Sequence, residues 1–261
     1  MPAVPAVPAV PVPAAAVPTI LATSGGTRPN PRTGVELGPL IRYGFELAGV
    51  DGRRPKLAVV TTAGGDQAQR VAWMYDAGRA AGVEVSHLAL FPMPNTADPA
   101  ALLGEADLVW VGGGSVANLL ALWRLHRLDS VMRELWEAGV VLGGVSAGSI
   151  CWHVGGTTDS FGPDLRAVTD GLALLPCSNG VHYDSEAQRR PLFQRLVADG
   201  VLPEGYATDD GVGLVYRGTE LAEVVSETRG KGAYRVHADD GAALEERIEP
   251  RVLPGAYGGS S

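Results

Sequence analysis

From Thr19 to Val145 the chain alternates short apolar runs rich in β-branched residues with longer amphipathic stretches, the pattern of β-α units that build a parallel sheet. The alternation restricts the fold class to α/β, a mostly parallel sheet flanked by helices. Strands are predicted at Thr19–Thr23, Lys56–Thr61, Val83–Leu90, Asp107–Val111 and Val140–Val145. Helices are predicted near Pro39–Ala48, Gln67–Ala81, Val116–Leu125 and Leu128–Ala138, with Gly49, Gly82 and Gly139 as C-terminal stops. Beyond Asp170 the character changes. Tyr206–Thr208, Val212–Tyr216, Leu221–Ser226 and Ala233–His237 read as short strands split by Asp-Gly, Arg-Gly and Gly-Lys-Gly turns, so antiparallel additions are expected at the sheet edge.

One domain over residues 19–238 is expected, because 261 residues suffice for a single well-buried core. Residues 1–18 repeat Pro-Ala-Val with prolines too closely spaced for a helix, which predicts a disordered or polyproline-like arm, either a tether or a dispensable tail. The stretch 239–261 is polar and Gly-rich and is expected to fray. Hydrophobic residues at 46% and charged residues at 19% exclude wholesale disorder. With 21 Lys+Arg against 29 Asp+Glu, the net charge of −8 argues against a nucleic-acid partner. The arm lacks the basic and uninterrupted apolar regions of a secretory signal, and no run reaches the roughly 18 apolar residues that span a bilayer. Cys151 and Cys177 are too few for a disulfide scaffold or a CxxC metal site, so a cytoplasmic location is expected. No HExxH or carboxylate–histidine cluster has ligand spacing, so neither metal nor cofactor is expected.

The sharpest local signal is Gly144-Val145-Ser146-Ala147-Gly148, placed between an apolar strand and a plausible helix, Ala147–His153. This is the form of a nucleophile elbow: the turn is so tight that larger side chains two before and two after the serine would collide. It also aims the Ala147 N–H at a developing oxyanion. A second cluster, Gly112-Gly113-Gly114, follows the preceding strand, and parallel strands bring both loops to one sheet edge. There Gly113 or Gly114 could supply the second oxyanion donor; the competing reading is an anion cradle at a helix N-terminus in a non-catalytic domain. A serine needs a base. His182, in a predicted Gly/Asn-containing loop at Cys177–Asp184, is one candidate; His237 is its rival, because Ser146, Asp209 or Asp210, and His237 would reproduce the chain order of an α/β-hydrolase esterase. His87, His126 and His153 read as structural. For the carboxylate, Asp209 and Asp210 compete with Asp159 and Asp184.

Taken together, Val111–Gly114 with Asn118, the Ser146 elbow, Val181-His182-Tyr183-Asp184 and Thr208-Asp209-Asp210-Gly211 resemble, in order, the motifs of the peptidase E family of serine peptidases, which includes aspartyl dipeptidase and cyanophycinases. The resemblance implies a fold like the class I glutamine amidotransferases, with serine in place of cysteine. It implies Ser146 as nucleophile and His182 as base, which demotes His237. For the third residue it implies Asp210, or alternatively Asp159. The expected enzyme is a monomeric or homodimeric dipeptidase-like exopeptidase acting on small peptides. An arginine a short way past the histidine would recognise an N-terminal aspartate, which points to Arg189 or Arg190, whereas Glu186 at that position would repel it.

Overall fold

A computed structural model describes residues 17–258, so the predicted arm at 1–18 lies almost wholly outside the described residues. The first half runs β1 (Thr19–Thr23), a hairpin of β2 (Thr27–Asn30) and β3 (Gly34–Leu37), α1 (Pro39–Leu47), β4 (Lys56–Val60), α2 (Ala68–Ala81) and β5 (Glu84–Leu88). It continues through α3 (Pro99–Gly104), β6 (Leu108–Val111), α4 (Val116–Leu125), α5 (Leu128–Glu137), β7 (Val141–Val145) and α6 (Ala147–Ile150). The second half comprises β8 (His153–Thr158), β9 (Arg166–Val168), β10 (Leu175–Gly180), α7 (Arg189–Ala198), β11 (Gly205–Thr208) and β12 (Val212–Arg217). It closes with β13 (Glu220–Thr228), β14 (Ala233–Asp239), β15 (Ala242–Ile248) and β16 (Arg251–Tyr257).

Eight strands form the main sheet in the order β16-β13-β12-β1-β7-β6-β4-β5. Its β1, β7, β6, β4 and β5 are mutually parallel. Successive side chains of a strand point to opposite faces, so an apolar run must be covered twice. On one face Leu21, Val59 and Trp110 pack with Ile41 and Phe45 of α1 and Met74 of α2. On the other, Ile20, Val60 and Val109 pack with Leu103 of α3, Trp123 of α4 and Met132 of α5. The architecture is the α/β fold predicted, with the boundaries of α1, α2, α4 and α5 displaced by at most one residue.

Four expectations are corrected. Of the strands expected to add antiparallel at the sheet edge, β12 and β13 do so beyond β1, whereas β11 and β14 enter a second sheet, β15-β14-β11-β10-β8-β9. The stretch from Asp239, expected to fray, supplies β15 and β16, because alternating residues from Ala242 pair with β14 and Leu253 is buried in the core. The predicted helix Ala147–His153 ends at Ile150, and His153 opens β8. The predicted loop at Cys177–Asp184 begins as a strand. Polar Ser178 and Asn179 tolerate burial there because Ser178 Oγ donates to Pro203 O at 2.7 Å, while Asn179 Oδ1 accepts from Ser149 Oγ at 2.8 Å.

The β2–β3 hairpin is tied down at its start by a buried carboxylate on β13. Glu227 accepts the N–H of Gly26 at 2.7 Å and of Leu40, in the first turn of α1, at 3.2 Å. Burial raises its carboxyl above the usual range. Truncation leaves two inward-facing donors unmatched, so Glu227→Ala should destabilise the fold by about 1–3 kcal/mol in urea titrations. A raised folded-state pKa gives stability that is present below the unfolded carboxylate pKa and lost as pH rises through the folded value. The advantage of wild type over Glu227→Gln should therefore be larger near pH 4 than near pH 7, and a pH-independent difference would contradict the assignment.

Candidate active site

Ser146 forms the hinge between β7 and α6 at φ 58°, ψ −115°. Such a backbone costs about 1–3 kcal/mol and persists only where its surroundings hold it. Here its N–H donates to Thr23 O at 3.1 Å, and its carbonyl accepts the N–H groups of Ser149 at 2.8 Å and Ile150 at 2.9 Å. The flanking glycines are required by close approach. A Cβ on Gly148 would run into the Val111 carbonyl, and one on Gly144 into the Gly148 carbonyl. The residue spacing that marked the elbow is thus the spacing at which α6 touches β6 and β7 backbone to backbone.

The glycine loop lies directly beside the serine. A Cβ built on Gly113 would stand 3.1 Å from Ser146 Cβ and 3.7 Å from its Oγ. Gly112 N–H donates to Val60 O at 2.9 Å and Ser115 N–H to Ala63 O at 2.9 Å. Those bonds fix the loop at both ends, and the N–H groups of Gly113, Gly114 and Ala147 meet no acceptor among the described residues. Gly114, at φ 141°, is pressed against the Ala63 carbonyl, where only glycine fits.

His182 follows β10 by two residues and has a positive φ of 53°. Its Nδ1 lies 2.6 Å from Asp210 Oδ1. A carboxylate only accepts, so the proton belongs on Nδ1 and the Nε2 lone pair is left free. Burial works to raise the Asp210 carboxyl, but hydrogen bonds from His182 and Ser185 prevail and hold it below the usual carboxylate range. Its backbone N–H donates to Asp184 Oδ1 at 2.9 Å, and Lys231 pairs with the same Asp184.

The residues that bring these loops together were missed in the sequence. Thr23 ends β1 and Ser24 follows it. Ser24 Oγ accepts the His182 N–H at 3.1 Å and lies 2.7 Å from Thr208 Oγ1. Its own N–H donates to Val212 O at 2.9 Å, and its carbonyl accepts the Gly211 N–H at 2.9 Å. Neighbouring backbone positions therefore hold the serine elbow on one side and the histidine and Asp210 loops on the other. The sole signal was two hydroxyl residues closing an apolar strand, which ordinarily reads as a strand end.

The other candidates lie elsewhere or are engaged. Asp209 points inward: Oδ2 accepts the Gly232 N–H at 2.9 Å and the Tyr234 hydroxyl at 3.3 Å, and burial raises its carboxyl. Asp159 sits on the loop after β8, lining a depression with Glu186 and Gln188, and forms no hydrogen bond with His182, whose carboxylate partner is Asp210. His237 lies on β14 opposite Leu244, its Nδ1 buried without a partner and no carboxylate beside it. His153, fully buried, has Nδ1 2.9 Å from Ser149 O, and burial lowers its pKa to about 4. Arg189 is buried in a pair with Glu186 at 2.7 Å and donates to Thr157 O. Arg190 pairs with Glu245 and lies over the Tyr183 and Tyr234 rings at 5.1 and 4.6 Å. Both arginines thus serve internal contacts. Instead, a cavity of about 230 Å³ opens against Gly112 and Gly113, with Arg70 on its lining. Among the described residues no group of three or more His, Cys, Asp or Glu is placed to hold a metal ion, and no helix is long and apolar enough to cross a membrane.

The peptidase family S51 model matches residues 20–224. The chain is 40% identical over 204 residues to an uncharacterised peptidase, YgaJ, of Bacillus subtilis, covering 78% of this chain and 85% of that one. It is 28% identical over 165 residues to peptidase E of Shewanella denitrificans, covering 54% and 70% respectively. Its fold is similar to that of a peptidase from an acI-B1 actinobacterium, with a TM-score of 0.63 at 17% identity over 90% of this chain and 95% of that one. A putative peptidase E of Listeria monocytogenes gives a TM-score of 0.52 at 15% identity, over 90% of this chain and all of that one. A family model spanning most of the chain, together with a relative this similar over most of both lengths, establishes that the chain belongs to peptidase family S51, the serine-type peptidases it resembled in sequence.

Proposed function

We propose that the chain is a dipeptidase-like serine exopeptidase in which Ser146 is the nucleophile, His182 the general base and Asp210 the residue that orients it. The observation that carries this reading is the 2.6 Å contact between His182 and Asp210, held through Ser24 beside the strained Ser146 elbow. Ser146 Oγ attacks the scissile carbonyl as His182 Nε2 takes its proton; His182 then returns that proton to the departing amine. The negative charge developing on the carbonyl oxygen is met by the N–H groups of Ala147 and of Gly113 or Gly114, donors of a kind worth about 3–4 kcal/mol each in other hydrolases. Asp210, kept ionised by its partners, fixes the imidazole tautomer and stabilises the imidazolium.

Action on short peptides is supported by the relation to a peptidase E. The preference for an N-terminal aspartate finds no carrier in Arg189 or Arg190, whose charges are neutralised by Glu186 and Glu245. A reducing cytoplasmic setting is supported by Cys151 and Cys177 both being free thiols. The esterase alternative through His237 has no support in the geometry, because its imidazole has neither a carboxylate nor a place beside the elbow contacts.

Ser146→Ala should abolish peptide hydrolysis while leaving the urea midpoint within experimental error of wild type or above it, since the strained hinge loses only a hydroxyl. His182→Ala should be equally inactive and His237→Ala nearly unaffected; the reverse order would overturn the assignment. Asp210→Asn should lower kcat by roughly 10⁴-fold with little change in KM, because it removes the charge that sets the tautomer. A wild-type pH profile with no limb from Asp210 in the usual carboxylate range is expected from its lowered pKa.

A further inference from the structure

The cavity beside the elbow is lined by apolar side chains at the edge of one core layer. Its floor is Val59, Trp110 and Val145, from β4, β6 and β7, and its walls are Val35 of the β2–β3 hairpin with Trp73 and Met74 of α2. Two glycines of the hairpin region make room for the indoles. A Cβ on Gly26 would stand 2.5 Å from the Trp110 ring, and one on Gly34 would collide with Trp73. The volume of about 230 Å³ exceeds the roughly 150 Å³ known to hold a benzene ring in an apolar protein cavity. Beside the backbone of Gly64, Gly112 and Gly113 and the Trp73 indole N–H, the polar lining is Thr27, Thr61 and an exposed Arg70, which forms no ion pair among the described residues.

Ser146 has unlike neighbours on its two sides. Toward β1, Ser24 holds His182, the group that must protonate the departing amine. Toward β6 lie Gly113 and the mouth of the cavity. The leaving amine is therefore directed to the β1 side, and the residue that contributes the scissile carbonyl to the β6 side. We propose that this cavity receives the side chain of that residue and selects a large apolar one, such as Leu, Met or Phe. The proposal rests on the serine-peptidase reading and adds the substrate class to it. Burial of each further methylene in such a pocket is worth about tenfold or more in kcat/KM. Arg70 stands at the rim and leaves the apolar floor intact.

The test is a kcat/KM profile over Xaa-Ala dipeptides with Gly, Ala, Leu, Met, Phe, Asp and Lys at the first position, paired with calorimetric titration of the same peptides into Ser146→Ala protein. Leu-, Met- and Phe-Ala should be cleaved at least about tenfold better than Gly-Ala and should bind the Ser146→Ala protein in the same order. Val35→Trp, which fills the cavity from the hairpin, should remove that advantage, and Trp73→Ala should weaken Phe-Ala most. A flat profile, or one led by Asp-Ala and collapsing in Arg70→Gln, would overturn the apolar assignment and leave the serine mechanism standing. Apolar-selective binding without turnover of any peptide would instead retain the cavity assignment and overturn the peptidase mechanism.

Discussion

The C-terminal end of β1 is the point on which the site depends. Thr23 and Ser24 lie at the junction of the two sheets, and between them they bind the backbone of Ser146, His182, Gly211 and Val212 and the hydroxyl of Thr208. Each such bond is worth only about 0.5–1.5 kcal/mol net, but leaving its buried partner unmatched costs about 1–3 kcal/mol. Three loops from distant parts of the chain are therefore locked to one strand end. The catalytic groups proposed here need that common reference, because two of them sit at positive φ and would relax to other conformations if their loops were free.

A second constraint sets the division of labour around the serine. Parallel strands end at a common edge, so β1, β7 and β6 deliver three loops side by side. The middle loop carries Ser146, the β1 loop anchors His182, and the β6 loop offers free N–H groups with no side chain in the way. In the proposed mechanism the order of strands in the sheet becomes an order of roles across the scissile bond. The hairpin that follows β1 then arches over the β6 side and closes the cavity, held by the buried carboxylate of Glu227.

Much of this was legible in the sequence because it is local. The elbow glycines, the helix stops and the alternation of strand and helix each express a contact within a few residues, and the five parallel strands and four long helices appear where the pattern placed them. What was not legible depends on long-range pairing. Ser178 and Asn179 read as loop residues because their burial is tolerated only through partners at Pro203, Ser149 and Tyr206. The polar segment after Asp239 read as a tail because its alternation is half-exposed and its pairing partners lie on β13 and β14. Arg189 and Arg190 attracted a substrate role by adjacency to His182, yet each is matched to an acid, Glu245 being more than fifty residues away. Arg70 and the two tryptophans of the cavity carried no sequence signal at all, since helix, strand and hairpin come together there only in three dimensions.

The central claim is that the elbow serine is made nucleophilic by His182 under the control of Asp210. Treatment with diisopropyl fluorophosphate, read by intact mass and peptide mapping, tests it without any assumption about substrate. One covalent adduct is expected, on Ser146, forming at least a hundredfold more slowly in His182→Ala and Asp210→Asn, roughly in line with what loss of a general base removes. An adduct on another residue, no adduct on the folded wild-type protein, or equal labelling in the His182→Ala variant would contradict the account.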